Sequence, residues 1–156
     1  MCDEKKLKKA RSVYNTLCEM LDEKKLTYKK HEEDLVITIT MNGDDLPMPF
    51  VINIDASREL IRVVSSIPVT FGEDKRIEGA LAACRLNYAL ADGSFDFDCK
   101  NGKVVYRMTS SYIDSLISKD LFEYMIGTAC YTVDVYNDKF LMLSKGMITL
   151  EEFFKK

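Results

Sequence analysis

The period of the apolar positions changes repeatedly along this chain, and each change marks an element. Between residues 4 and 25, Leu7, Ala10, Tyr14, Leu17, Cys18 and Leu21 recur at helical spacing, which predicts an amphipathic first helix. After Leu26 the period falls to two. Leu35, Ile37, Ile39 and Met41 alternate with Val36, Thr38 and Thr40, and Phe50, Ile52 and Ile54 alternate with Val51, Asn53 and Asp55. Two strands follow from this, with a hairpin connection expected at Asn42-Gly43, a pair that readily takes positive φ. A third strand from Leu60 to Ile67 is expected to stop at Pro68, which cannot donate to a ladder. A short strand at 27 to 31 precedes this meander.

The helical period returns from Asp74 to Ala91. A hairpin of Ser94 to Cys99 and Lys103 to Thr109 then turns on Lys100-Asn101-Gly102, with Phe95 and Phe97 on its buried face. A third helix starts near Ser118, a good N-cap, and carries Leu121, Phe122, Met125, Ile126, Ala129, Cys130 and Val133, with Gly146 as its C-terminal cap. Thr149 with Glu152 makes a capping box for a short terminal helix. The pattern predicts one α+β domain over 1-156, an antiparallel sheet with helices packed on it, in the order α-β-β-β-β-α-β-β-α.

The second helix departs from the usual single stripe. Ile77, Ala80, Leu81, Cys84 and Tyr88 form one apolar face, while Gly79, Ala83, Leu86 and Leu90 cluster on nearly the opposite one. Glycine inside a helix costs about 1 kcal/mol relative to alanine, so Gly79 beside Ala83 implies close approach by another element. The face of Gly79, Ala83, Leu86 and Leu90 is therefore the candidate dimer or partner interface, covered either by the third helix of the same chain or by a symmetric copy.

Composition narrows the function. The chain has 156 residues, 47% hydrophobic and 30% charged, with a formal net charge of -3, so bulk charge announces neither a nucleic-acid groove nor an acidic tail. Lys5, Lys6, Lys8, Lys9 and Arg11 crowd the start of the first helix, where Asp3, Glu4, Glu19, Asp22 and Glu23 offset them, and they read as a solvated face. No apolar run is long enough for a membrane span or a signal core. Five cysteines, Cys2, Cys18, Cys84, Cys99 and Cys130, are widely spaced and odd in number, which favours reduced thiols in a cytoplasm over a disulfide framework. Cys84 on its helix stripe and Cys99 in phase with the phenylalanines read as small core residues.

Candidate chemistry is sparse. Asp92, Asp96 and Asp98 fall within seven positions, yet a calcium loop begun at Asp96 meets Lys100 where a ligand belongs and Asn101 where glycine belongs. Ser94, Asp96 and Asp98 share the wetter face of a half-solvated strand, with Arg107 placed across from them for a cross-strand pair. The only histidine, His31, lies at a strand end, and no phosphate loop, zinc helix or nucleophile elbow is present. The sequence calls for no catalytic residue, no metal and no cofactor.

The block "LNYALADGSFDFDCKNGKVVYR" at 86 to 107 and the preceding "INIDASRELIRVVSSIP" resemble the YbjN-like family of candidate bacterial sensory transduction regulators, whose fold is that of type III secretion chaperones. The resemblance spans most of residues 5 to 145. In it Gly93 makes a tight entry to a strand, Phe95 enters the core and Asn101-Gly102 makes a turn. It implies homodimerisation and a non-enzymatic, chaperone-like role in holding a segment of another protein. The reading weighed against it is a small-molecule-binding domain or enzyme with a pocket between sheet and helices.

Overall fold

The computed structural model describes residues 3–115 and 117–155. Helix α1 (Glu4–Glu23) starts at Asp3, whose carboxylate accepts the Lys5 N–H, and buries Ala10, Val13, Tyr14, Leu17, Cys18, Met20 and Leu21. Strands β1 (Lys29–His31), β2 (Val36–Asn42), β3 (Pro47–Asp55) and β4 (Leu60–Thr70) follow. A 3-10 turn at Glu73–Lys75 leads into α2 (Arg76–Ala89), then come β5 (Ser94–Asp98), β6 (Lys103–Ser111), α3 (Lys119–Ser144) and α4 (Leu150–Phe153). The strands join one antiparallel sheet in the order β1-β2-β3-β4-β6-β5, which leaves β1 and β5 at its edges.

Alternation along the strands separates two faces. Ile37, Ile39, Phe50, Ile52, Ile54, Ile61, Val63, Phe95, Val104, Tyr106 and Met108 are buried beneath the helices, while Thr40, Val51, Ser66, Arg107 and Thr109 are exposed on the other side. Burying each large side chain contributes roughly 1.5–3 kcal/mol. At the β5 end of the sheet the core is aromatic: the Phe95 ring lies 5.2 Å from Tyr106 and 5.2 Å from Phe140, and Phe140 lies 5.0 Å from Phe153 of α4.

Two expectations change in detail, and a third is met. Pro68 does not end its strand, because β4 runs on to Thr70 past a register shift between Ser66 and Thr70, and its ladder with β3 stops at Ser65. A missing N–H costs little where no ladder needs it. Asn42 pairs with Pro47, so the β2–β3 connection is the longer loop 43 to 46, and Gly43 is there because the Asp134 carboxylate occupies the space of a Cβ. That carboxylate also accepts the Asp44 N–H at 2.9 Å. The third helix runs unbroken to Ser144, and Gly146, at φ 66°, turns the chain as the Met147 N–H bonds Met142 O and the Gly146 N–H bonds Leu143 O.

The basic start of α1 is only partly a solvated face. Lys6 and Lys9 reach Glu59 at 3.2 and 3.0 Å, and Lys9 also donates to Tyr112 O at 2.6 Å. These bonds tie α1 to the β3–β4 turn and hold the Glu59 carboxyl below its ordinary range, chiefly through Lys9. Lys5, Lys8 and Arg11 stay exposed.

Candidate interaction surface

Helix α2 lies beside the β5 edge with its two apolar stripes in opposite environments. Gly79, Ala82, Ala83 and Leu86 are buried, and Leu90 is half-buried against the same core. A Cβ at Gly79 would stand 2.6 Å from the Phe97 ring and 2.9 Å from the Phe71 ring. The close approach read from Gly79 and Ala83 is real, but aromatic side chains of the same chain, Phe97 of β5 and Phe71 just after β4, make it. The stripe of Gly79, Ala83, Leu86 and Leu90 is thus turned inward and is not available as an outer interface.

The outward stripe is the other one. Ile77 is 76% exposed, Leu81 48% and Tyr88 95%, and Cys84 is exposed between them. Two grooves flank this ridge. One, of about 430 Å³, is lined by Arg76, Ile77, Ala80, Leu81, Cys84 and Cys99. The other, of about 500 Å³, lies between Cys84, Tyr88, Ala89, Tyr136 and Phe154, with the Arg85 guanidinium 4.0 Å above the Phe154 ring. A second outward patch, Tyr124, Tyr131 and Val135, follows helical spacing along α3. Residue size separates the two stripes once the packing is known: three of the four buried residues are Gly or Ala, while Ile77, Leu81 and Tyr88 face out.

The thiols divide differently from the expectation. Cys84 and Cys99 are exposed, because α2 turns its other stripe inward and β5 ends at Asp98, one residue before Cys99. Cys18 is buried and Cys130 half-buried, and burial pushes the Cys130 thiol up to about 11, which keeps it protonated. Cys2 lies outside the described residues.

The aspartates of the 86-to-107 block serve the hairpin and its neighbours. Asp98 accepts the Lys100 and Asn101 N–H groups at 2.9 and 3.2 Å and the Asn101 amide at 2.7 Å, and the Asn101 bond leads in holding its carboxyl low. Asp96 pairs with Arg107 at 2.7 Å on the open face, both about half exposed, an arrangement worth under about 1 kcal/mol. Asp92 accepts the Tyr106 hydroxyl through its carbonyl and the Tyr124 hydroxyl through its carboxylate, and the latter bond raises the Tyr124 phenol. The three carboxylates face different partners and converge on no common point. His31 is exposed on edge strand β1, 3.3 Å from the Thr38 hydroxyl. Among the described residues no group of His, Cys, Asp and Glu is placed to hold a metal ion, and no helix is long and apolar enough to cross a membrane.

The glycines of the block have the expected turns. Gly93, at φ 71°, leaves room for the Tyr106 hydroxyl, and Gly102, at φ 69°, abuts the Phe71 carbonyl. Leu86 is buried, and Asn87 bonds the Phe95 main chain twice.

No protein-family model and no curated protein matches this sequence. Solved structures do. The crystal structure of YbjN from E. coli, a candidate transcription regulator, matches with a TM-score of 0.60 and 12% identity over 86% of this chain and 93% of that one. The ExsC-ExsE complex matches with a TM-score of 0.57 and 18% identity over 81% and 92% of the two chains. The HopA1-SchA chaperone-effector complex gives 0.54 and 12% over 80% and 91%. The likeness is one of fold, and this chain has the type III secretion chaperone-like fold.

Proposed function

We propose that this chain is a non-enzymatic, cytoplasmic, chaperone-like module that binds a segment of another protein and acts as a homodimer joined through the outward ridge of α2. The observation that carries the reading is the exposure of Ile77, Leu81, Cys84 and Tyr88 in one stripe between two grooves. A contiguous apolar ridge of this kind is unusual on the free surface of a monomer. Ridge and groove side by side on one helix are self-complementary under a two-fold axis, so one patch serves both copies. Two further observations support the role: two of the structural neighbours are complexes of a chaperone-like fold with a protein partner, and the exposed free thiols of Cys84 and Cys99 suit a reducing compartment.

The alternative, a ligand pocket between sheet and helices, has no support in the packing. That space is filled by the fully buried Phe71, Phe95, Tyr106, Phe122, Phe140 and Phe153. Light scattering over a range of concentrations tests the dimer. The native chain is expected at twice its chain mass and Leu81→Arg at the single mass with an unchanged circular dichroism spectrum. A native chain that stays at the single mass throughout removes the α2 ridge as a dimer surface.

A further inference from the structure

Asn87 stands between buried Leu86 and the almost wholly exposed Tyr88, so neither stripe of α2 accounts for it. Its carboxamide meets one residue of the sheet twice: Nδ2 donates to Phe95 O at 2.9 Å, and the Phe95 N–H donates to Oδ1 at 2.8 Å. Phe95 belongs to β5, an edge strand whose one neighbour is β6. In an antiparallel ladder successive residues direct their N–H and C=O groups to opposite sides. A residue that gives both groups to Asn87 has both turned away from β6, towards the vacant edge. Phe97, two residues on, has the same orientation, and its ring is the one pressed against Gly79.

A carboxamide offers a donor and an acceptor side by side, as a peptide unit does. We infer that Asn87 closes the β5 edge to strand addition, filling at Phe95 the two hydrogen-bond positions that an added strand would take. An open edge strand is a template for another chain. The two edges are protected by different means. β1 is three residues long and all of it, Lys29, Lys30 and His31, is exposed and basic in character. β5 carries no such charge along its inward side chains and relies on the helix beside it. An extended segment, from a partner or from a second copy, reaches β5 only when α2 releases Phe95. This inference does not depend on the α2 ridge being a dimer surface.

The test uses Asn87→Ala in the full chain and again on a Leu81→Arg background, which separates edge pairing from association through the ridge. Amide exchange by NMR and light scattering are the readouts. The expected result for Asn87→Ala is a native circular dichroism spectrum, a Phe95 amide exchanging up to about tenfold faster than in the native chain, and a mass that rises with concentration on both backgrounds. Slowed exchange of the Phe97 amide in the associated species marks β5 as the joining edge. Asn87→Asp keeps an acceptor for the Phe95 N–H but sets a carboxylate against the Phe95 carbonyl; it serves as the second variant if the alanine form does not fold, with the same rise in mass expected. A folded variant whose mass follows that of its parent at every concentration overturns the inference, whatever the exchange rate of Phe95.

Discussion

The inward and outward stripes of α2 are similar in apolar character and opposite in fate. Gly79, Ala82, Ala83 and Leu86 are covered by Phe71, Phe97 and the rest of the core, while Ile77, Leu81, Cys84 and Tyr88 face solvent. Hydrophobicity alone does not choose between such faces. Shape does: Phe97 of β5 and Phe71, just after β4, bring two aromatic rings close to the helix, and only small residues leave room for them. The large side chains are what remain for the outside, and a partner or a second copy is the natural cover for them.

Substitutions break this comparison to different extents. Leu86→Ala is expected to have the largest effect, a loss of about 3 kcal/mol in denaturant unfolding, since Leu86 is fully packed and the core cannot collapse around the space. Gly79→Val follows, with a loss of about 2 kcal/mol despite valine's better helix propensity, because its Cβ meets the Phe97 and Phe71 rings. A Gly79→Val form as stable as the native chain refutes the size argument. Native-state alkylation sharpens the comparison without touching stability. Cys84 and Cys99 are expected to react readily and Cys18 and Cys130 only on unfolding, with Cys84 slowing at concentrations where the dimer forms.

The smallest expected effect lies far from α2. Asp55 accepts the Ser57 hydroxyl at 2.7 Å, the Arg58 N–H at 3.0 Å and the Arg62 guanidinium at 3.0 Å, and the Ser57 bond leads in holding its carboxyl below the ordinary carboxylate range. A carboxyl lowered in the folded state stabilises above its unfolded value and loses that contribution as pH falls through the folded value. Stability is therefore expected to decline from about pH 4 downwards, and Asp55→Asn to flatten that part of the curve. An unchanged acid limb in Asp55→Asn removes this turn from the account.

Periodicity in the chain was enough to place the helices and strands, the cap at Ser118, the capping box at Thr149 and the turns at Gly93 and Gly102, because each depends on neighbours within a few residues. The resemblance carried by the 86-to-107 block pointed to the fold that the solved neighbours share. Two apolar stripes on α2 were equally legible. What stayed hidden was anything set by the packing of distant segments: which stripe turns inward, that Cys84 and Cys99 are exposed, that Lys6 and Lys9 hold Glu59, and that Asn87 reaches the main chain of Phe95. Local spacing fixes the direction of a side chain about its own element, but the partner it meets depends on where the sheet places Phe71, Phe97 and the β5 edge, and only the tertiary structure decides that.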